Sequence, residues 1–155
     1  MLLPRQLAYA IRLMVEIALC VADAPVSTRT LSARMRIPRA FLHKTASQLS
    51  RSNLLTSQRG VGGGLALARP AQNITVLDVA LALKVQLELI ECTMGGKRCR
   101  LIRRCAVRDL LCDTTAVVRR KFARTTIADL AARQRRLITE QRKRKTRRTI
   151  LTSKR

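Results

Sequence analysis

Three of the five cysteines in this sequence, Cys92, Cys99 and Cys105, fall within one short segment that also holds Gly95, Gly96, Lys97, Arg98, Arg100, Arg103 and Arg104. Six residues separate the first pair and five the second. Zinc sites usually take ligands two to four residues apart, because a tight turn brings two thiolates to one ion, so this spacing suits zinc poorly. A cluster of several irons is larger, and loops of five or six residues can wrap it and offer thiolates to separate corners. Gly95 and Gly96 supply the bend, and the surrounding cations, with Arg108, offset the negative charge of a thiolate-ligated cluster. Spacing alone ranks an iron-sulfur cluster, [2Fe-2S] or [4Fe-4S], ahead of a zinc site, a cluster-free thiol sensor and inert cysteines. The odd cysteine count argues against a disulfide framework.

The remaining chemistry is sparse. One histidine and nine acidic residues give catalysis little to work with, and no nucleophile, base and orienting group fall into a recognisable set, so the chain is read as no enzyme. Charge is the other strong signal: a net +23 on 155 residues produces a field that attracts polyanions, nucleic acid before anionic membrane. No apolar stretch approaches the roughly 20 residues of a membrane span. Arg12 and Glu16 interrupt the first helix where a signal peptide would need an apolar core, which places the protein in the cytoplasm.

With one Tyr, two Phe and no Trp, the core must be built from aliphatic side chains, which favours helices packed on helices over a large sheet. Leu7, Ile11, Met14, Val15 and Ala18 recur at helical spacing and predict a first helix, with Cys20 near its end as a buried small hydrophobe. Ser27 or Thr28 is placed to cap a second helix carrying Leu31 and Met35, which breaks at Arg36-Ile37-Pro38. A third helix follows, with Phe41, Leu42, Ala46 and Leu49 on one side. Two short helices joined by a tight turn are a helix-turn-helix, whose second helix enters the major groove. That geometry predicts base-edge contacts from Arg39, Ala40, His43 and Lys44, with Ser47 toward phosphate. A lone histidine such as His43 is, in the alternative, an ordinary solvated side chain.

Residues 54–58 and 65–68 read as two strands joined by Arg59-Gly60-Val61-Gly62-Gly63-Gly64, a hairpin wing whose tip, Arg59 and Gly60, could reach an adjacent minor groove. No strand-to-helix context supports a phosphate-cradling loop there. Thr75 with Asp78 resembles a capping box opening a helix through Val79 and Leu83. From about Cys105 to Phe122, Val107, Leu110, Leu111, Val117 and Val118 recur as in a long helix that buries a seam against a partner, so a homodimer is expected. Thr126 and Asp129 offer a second capping box, for a final short helix through Leu130. Residues 133–155 hold eleven Lys or Arg against Glu140 alone; such a run should be disordered by itself and lend non-specific DNA affinity.

Several of these features occur together in one known group. Tyr9-Ala10-Ile11-Arg12, Phe41-Leu42, the wing from Arg59 to Ala68, the run from Ile74 to Val79 and the three cysteines resemble the Rrf2 family of bacterial winged-helix regulators over about residues 1–132. The resemblance implies a homodimeric repressor with a cluster near the dimer interface, and relatives that regulate cluster assembly, sense nitric oxide or respond to iron. Where such proteins often carry a fourth ligand, an acidic residue just before the tyrosine or a histidine three residues past the last cysteine, this chain has Ala8 and Arg108. Alanine has no donor atom and arginine stays protonated. The fourth position then falls to solvent, a small thiol, Asp109, Glu91 or Cys112.

The expected protein is mainly α with a small β wing: a winged helix-turn-helix over 1–73, a cluster-binding loop and dimerisation helices over 74–132, and a basic tail over 133–155. Its expected function is cluster-dependent repression at a double-stranded operator, in response to iron, nitric oxide or redox state. The alternatives are a thiol redox regulator of the same fold, a non-specific nucleic-acid-coating protein, and a scaffold that donates its cluster.

Overall fold

Leu7, Ala10, Leu13, Met14 and Ile17 repeat at three- and four-residue steps and are all buried, which makes α1 (Arg5–Leu19) the central helix. The computed structural model describes residues 4–20, 25–60, 62–89 and 104–152. Around α1 pack α2 (Thr28–Met35), α3 (Arg39–Arg51), the second strand of the hairpin β1 (Leu55–Gln58) and β2 (Gly64–Leu67), α4 (Val76–Ala82), and α6 (Ile127–Thr152). A 3-10 turn over Ala71–Asn73 joins β2 to α4, and α5 (Ala106–Arg124) packs on α4. The core is almost wholly aliphatic, as the shortage of aromatic residues requires: Leu31, Leu49, Leu54, Ile74, Val79 and Ile127 join the α1 stripe. The architecture is a helical winged helix-turn-helix, mainly α with a two-stranded antiparallel wing, as the sequence predicted.

Local signals explain most boundaries. Ser27 caps α2 by accepting a hydrogen bond from the Thr30 amide at 3.1 Å. Arg36, with φ 53°, ends α2 in the left-handed region, and Pro38 stands at the N-cap of α3. Thr75 and Asp78 form the expected capping box: the Asp78 amide donates to Thr75 Oγ1 at 3.1 Å and the Thr75 amide to Asp78 Oδ2 at 2.9 Å. Thr126 and Asp129 repeat the arrangement at the start of α6, at 3.1 and 3.0 Å. The Thr126 backbone amide first, and then the Thr126 side chain, hold the Asp129 carboxyl below the ordinary carboxylate range.

Two expectations are corrected. Residues 133–152 are not a disordered run after a short helix; α6 continues as helix to Thr152. No Gly or Pro interrupts it, its Arg, Lys, Gln and Leu residues have high helix propensity, and salt screens the repulsion between its cations. Burial of Ile127 and Ala131 against the core and a hydrogen bond from Arg135 Nη2 to the Ala18 carbonyl at 3.1 Å anchor its first turns. Cys20 is half-buried rather than enclosed, because it stands at the C-cap where α1 runs out to the surface; its thiol donates to the Glu16 carbonyl and meets the Arg34 guanidinium at 3.5 Å.

Candidate DNA interface and cysteine segment

The face of α3 divides as its sequence pattern requires. Leu42, Thr45, Ala46 and Leu49 are buried, while Arg39, Ala40, His43, Lys44 and Ser47, the five expected DNA contacts, are all exposed. Thr45 is tolerated in the core because its hydroxyl donates to the Phe41 carbonyl at 3.0 Å. Phe41 packs edge-on against Tyr9, with ring centroids 5.4 Å apart, and the Gln6 and Gln48 side chains bond at 2.6 Å. Two contacts on separate turns therefore fix the rotation of α3 about α1.

The wing stands beside this helix. Its strands pair antiparallel with Leu55 opposite Leu67 and Gln58 opposite Gly64, and the turn closes where the Gly63 amide donates to the Gly60 carbonyl at 3.0 Å. Gly60 has φ 99°, a conformation that a side chain would strain. Gly64 serves a different need: a Cβ there would lie 2.3 Å from the Val26 carbonyl oxygen. Its absence lets Val26 pair with Leu65 through hydrogen bonds of 2.8 and 2.9 Å and so ties the wing to the chain entering α2.

Between α3, the wing and the N-terminus of α2 lies a cleft of about 750 Å³, lined by Thr28, Arg29, His43, Ser47, Arg51 and Arg59 among others. Gly60 borders it too. The structure thus brings His43 and Ser47 of the recognition helix together with Arg59 and Gly60 of the wing. Three cations, hydroxyl groups and a helix N-terminus line one concave surface, the chemistry that receives a phosphate backbone. Arg29 and Arg51 are additions that sequence reasoning missed. Arg51 stands four residues beyond Ser47 and was accessible from helical spacing; Arg29 joins the cleft only through the fold.

Cys92 and Cys99 lie outside the described residues. Cys105 is placed: it is the N-cap of α5, half-buried, with its carbonyl accepting from the Asp109 amide at 3.3 Å. Asp109, one turn on, is exposed and sits 3.8 Å from the Arg108 guanidinium. Cys112, two turns on, is free and half-buried. On the other face of α5, Val107, Leu110 and Val117 are 60%, 64% and 55% exposed, and Thr115 is the one residue the helix buries fully. With Thr114 and Lys121 these positions step by three and four residues, coiled-coil spacing in which three of the five positions are apolar.

The far end of α5 is locked to the winged-helix body. The Val76 amide donates to the Thr125 carbonyl at 2.9 Å and the Ile127 amide to the Ile74 carbonyl at 2.8 Å, so the two capping boxes lie side by side across a short antiparallel bridge. Arg119 pairs with Glu88 at 2.9 Å. The helix held at this end by these bonds has Cys105 as its N-cap at the other.

These features define a winged-helix DNA-binding protein, and comparison with known proteins agrees. Residues 3–133 match the Rrf2 family, described as iron-dependent transcriptional regulators. The chain is 30% identical over 122 residues to the protein rrf2 of Nitratidesulfovibrio vulgaris, covering 79% of this chain and 81% of the relative. It is 30% identical over 126 residues to the HTH-type transcriptional regulator IscR of Yersinia pseudotuberculosis, covering 81% of this chain and 76% of that one. Its fold superposes on CymR (YrzC), the global cysteine regulator of B. subtilis, with a TM-score of 0.72 at 23% identity, over 85% of this chain and 97% of that one. The chain belongs to the Rrf2 family. It is a DNA-binding transcriptional regulator and not an enzyme. Among the described residues, no helix is long and apolar enough to cross a membrane.

Proposed function

We propose that this regulator acts in the cytoplasm as a homodimeric repressor whose DNA binding is switched by an iron-sulfur cluster held by Cys92, Cys99 and Cys105. The observation that carries the reading is the position of Cys105: it starts the helix whose other end is bonded to the winged-helix body at Val76. The donor chemistry fits as well. Cys105 is a free thiol at a helix N-terminus, where the macrodipole favours negative charge, and Arg108 lies within the following turn. When bound, a cluster supplies a centre open to oxidation, nitric oxide or loss of iron. Asp109 and Cys112 remain the candidates on α5 for a fourth ligand, Asp109 being the more exposed.

In this reading two copies pair along the exposed Val107, Leu110 and Val117 seam, which sets their α3 helices to read two half-sites of a roughly palindromic operator. Arg39, Ala40, His43 and Lys44 contact base edges, Ser47 phosphate, and Arg59 with Gly60 the neighbouring groove. The physiological signal is iron, nitric oxide or redox state.

One specific observation shapes the second reading, a thiol switch without a cluster. Cys105 and Cys112 are seven residues apart on one helix, about 10.5 Å along its axis. A disulfide between them is excluded while α5 is intact, since bridged Cα atoms lie at most about 7 Å apart. A thiol switch therefore oxidises Cys92, Cys99 or Cys105, and a disulfide to Cys105 draws its partner from a cysteine other than Cys112, from an external thiol or from a second copy.

An absorption spectrum of protein purified without oxygen, with iron and sulfide content per chain, separates the two. Broad absorption near 400 nm that bleaches in air or nitric oxide, and that Cys99→Ala abolishes in a folded protein, is the expected result. A colourless protein that takes up no cluster on reconstitution would remove the cluster reading and leave the thiol switch.

A further inference from the structure

We propose that the basic stretch of α6 is a second, sequence-independent contact with duplex DNA, separate from the cleft between α3 and the wing. The proposal rests on the DNA-binding reading of the winged helix and adds a surface to it.

Position comes first. The root of α6 is fixed on α1 by Ile127, Ala131 and the Arg135 to Ala18 hydrogen bond. Beside that root, a groove between α1, α2 and α6 is lined by Arg34 and Met35, at the C-terminal end of α2. The DNA cleft takes Thr28 and Arg29, at the opposite end of the same helix. An eight-residue helix is about 12 Å long, so the root of α6 stands at the end of α2 opposite the cleft.

Charge identifies the partner. Between Arg142 and Arg148 six of seven residues are Lys or Arg, and the backbone is helical throughout. At about 1.5 Å rise per residue this is one positive charge per roughly 1.75 Å of helix axis. Duplex DNA carries one negative charge per about 1.7 Å. The two rods match in linear density with opposite sign. Like charges three and four residues apart on a helix repel one another, so a polyanion that neutralises them stabilises the helix, and helix and complex reinforce each other.

Composition argues against the other polyanions. From Thr139 to Thr149 no residue is apolar, so the stretch lacks the apolar face with which a surface helix enters a bilayer. From Ile127 to the end of the chain no residue is aromatic, so there is no platform on which the bases of a single strand could stack. A duplex backbone needs neither.

The test measures binding of the full chain to a mixed-sequence duplex of about 30 base pairs, from about 0.1 to 0.4 M salt. A variant with glutamine at Lys143, Arg144, Lys145, Arg147 and Arg148 keeps helix propensity and removes five charges. The slope of log affinity against log salt should become shallower by about three to five, and affinity at the lowest salt should fall at least tenfold. Arg144→Lys with Arg147→Lys and Arg148→Lys should retain the wild-type slope, and circular dichroism checks that each variant is folded. An unchanged slope in the glutamine variant would overturn the proposal while leaving the winged-helix reading in place. Wild-type protein that binds no duplex would remove that reading itself. Loss of binding confined to phosphatidylserine vesicles or to single-stranded RNA would assign the stretch to another partner and overturn the duplex assignment.

Discussion

The winged-helix body and α5 are built from similar aliphatic side chains, yet they treat them in opposite ways. In the body, Leu7, Leu13, Leu31, Leu49 and Ile74 are enclosed by five helices and a hairpin of the same chain. On α5, Val107, Leu110 and Val117 lie open, and one threonine is the helix's fully buried residue. The body encloses most of its own apolar surface; α5 leaves open the surface along which the proposed dimer would pair. In the proposed function, this division would let the closed body hold the DNA-reading geometry while α5 carries the response from Cys105.

That contrast can be broken most severely in the body. Leu49→Ala, at a fully buried site on α3, should cost about 2 to 5 kcal/mol in urea unfolding, because the cavity adds to the lost transfer energy. The same truncation at Leu110 should leave the unfolding of the body nearly unchanged; an equal loss at both sites would show that α5 shares the core after all. Replacing Leu110 with glutamate sharpens the other half, since a charge in an apolar seam should weaken dimerisation by roughly a hundredfold in sedimentation equilibrium. A monomer-dimer balance indifferent to that change would place the interface elsewhere.

Smaller effects test the joint between the regions. Thr75→Ala removes the cap of α4 and should cost about 1 kcal/mol, with a measurable rise in amide exchange at Val76 and Ile127, whose bonds cross the bridge. The smallest expected effect is acid-dependent. Because the Asp129 carboxyl is held below its ordinary range by Thr126, its contribution is fully present above the unfolded value, near 3.8, and is lost as pH falls through the lower folded value. Asp129→Asn should therefore reduce the acid-induced loss of α6 helicity seen by circular dichroism, and identical acid profiles would dismiss this capping box as a source of pH dependence.

Local pattern and tertiary outcome separate cleanly along the chain. Residues whose roles depend on spacing within one element were legible beforehand: the α1 stripe, Ser27 and Thr75 as caps, the exposed row from Arg39 to Ser47, and the glycine turn of the wing. Each rests on interactions that reach only a few residues along the backbone, and helical or strand periodicity encodes those directly. The expected disorder of the last segment failed for a related reason. Charge and helix propensity oppose each other after Ala132, and the anchor that tips the balance, α1 beneath Ile127, Ala131 and Arg135, lies more than a hundred residues away in sequence.

The amino-acid sequence by itself determined the helix-turn-helix, the wing, the capping boxes and the amphipathic seam of α5, because short-range periodicity and capping chemistry need no distant partner. Only the tertiary structure decided that Arg29 and Arg51 join His43 and Arg59 in one cleft, that Gly64 exists to admit Val26, and that the end of α5 is bonded to the start of α4. Those are meetings of residues far apart in the chain, and packing of the aliphatic core, which is non-directional and indifferent to sequence distance, is what brings them together.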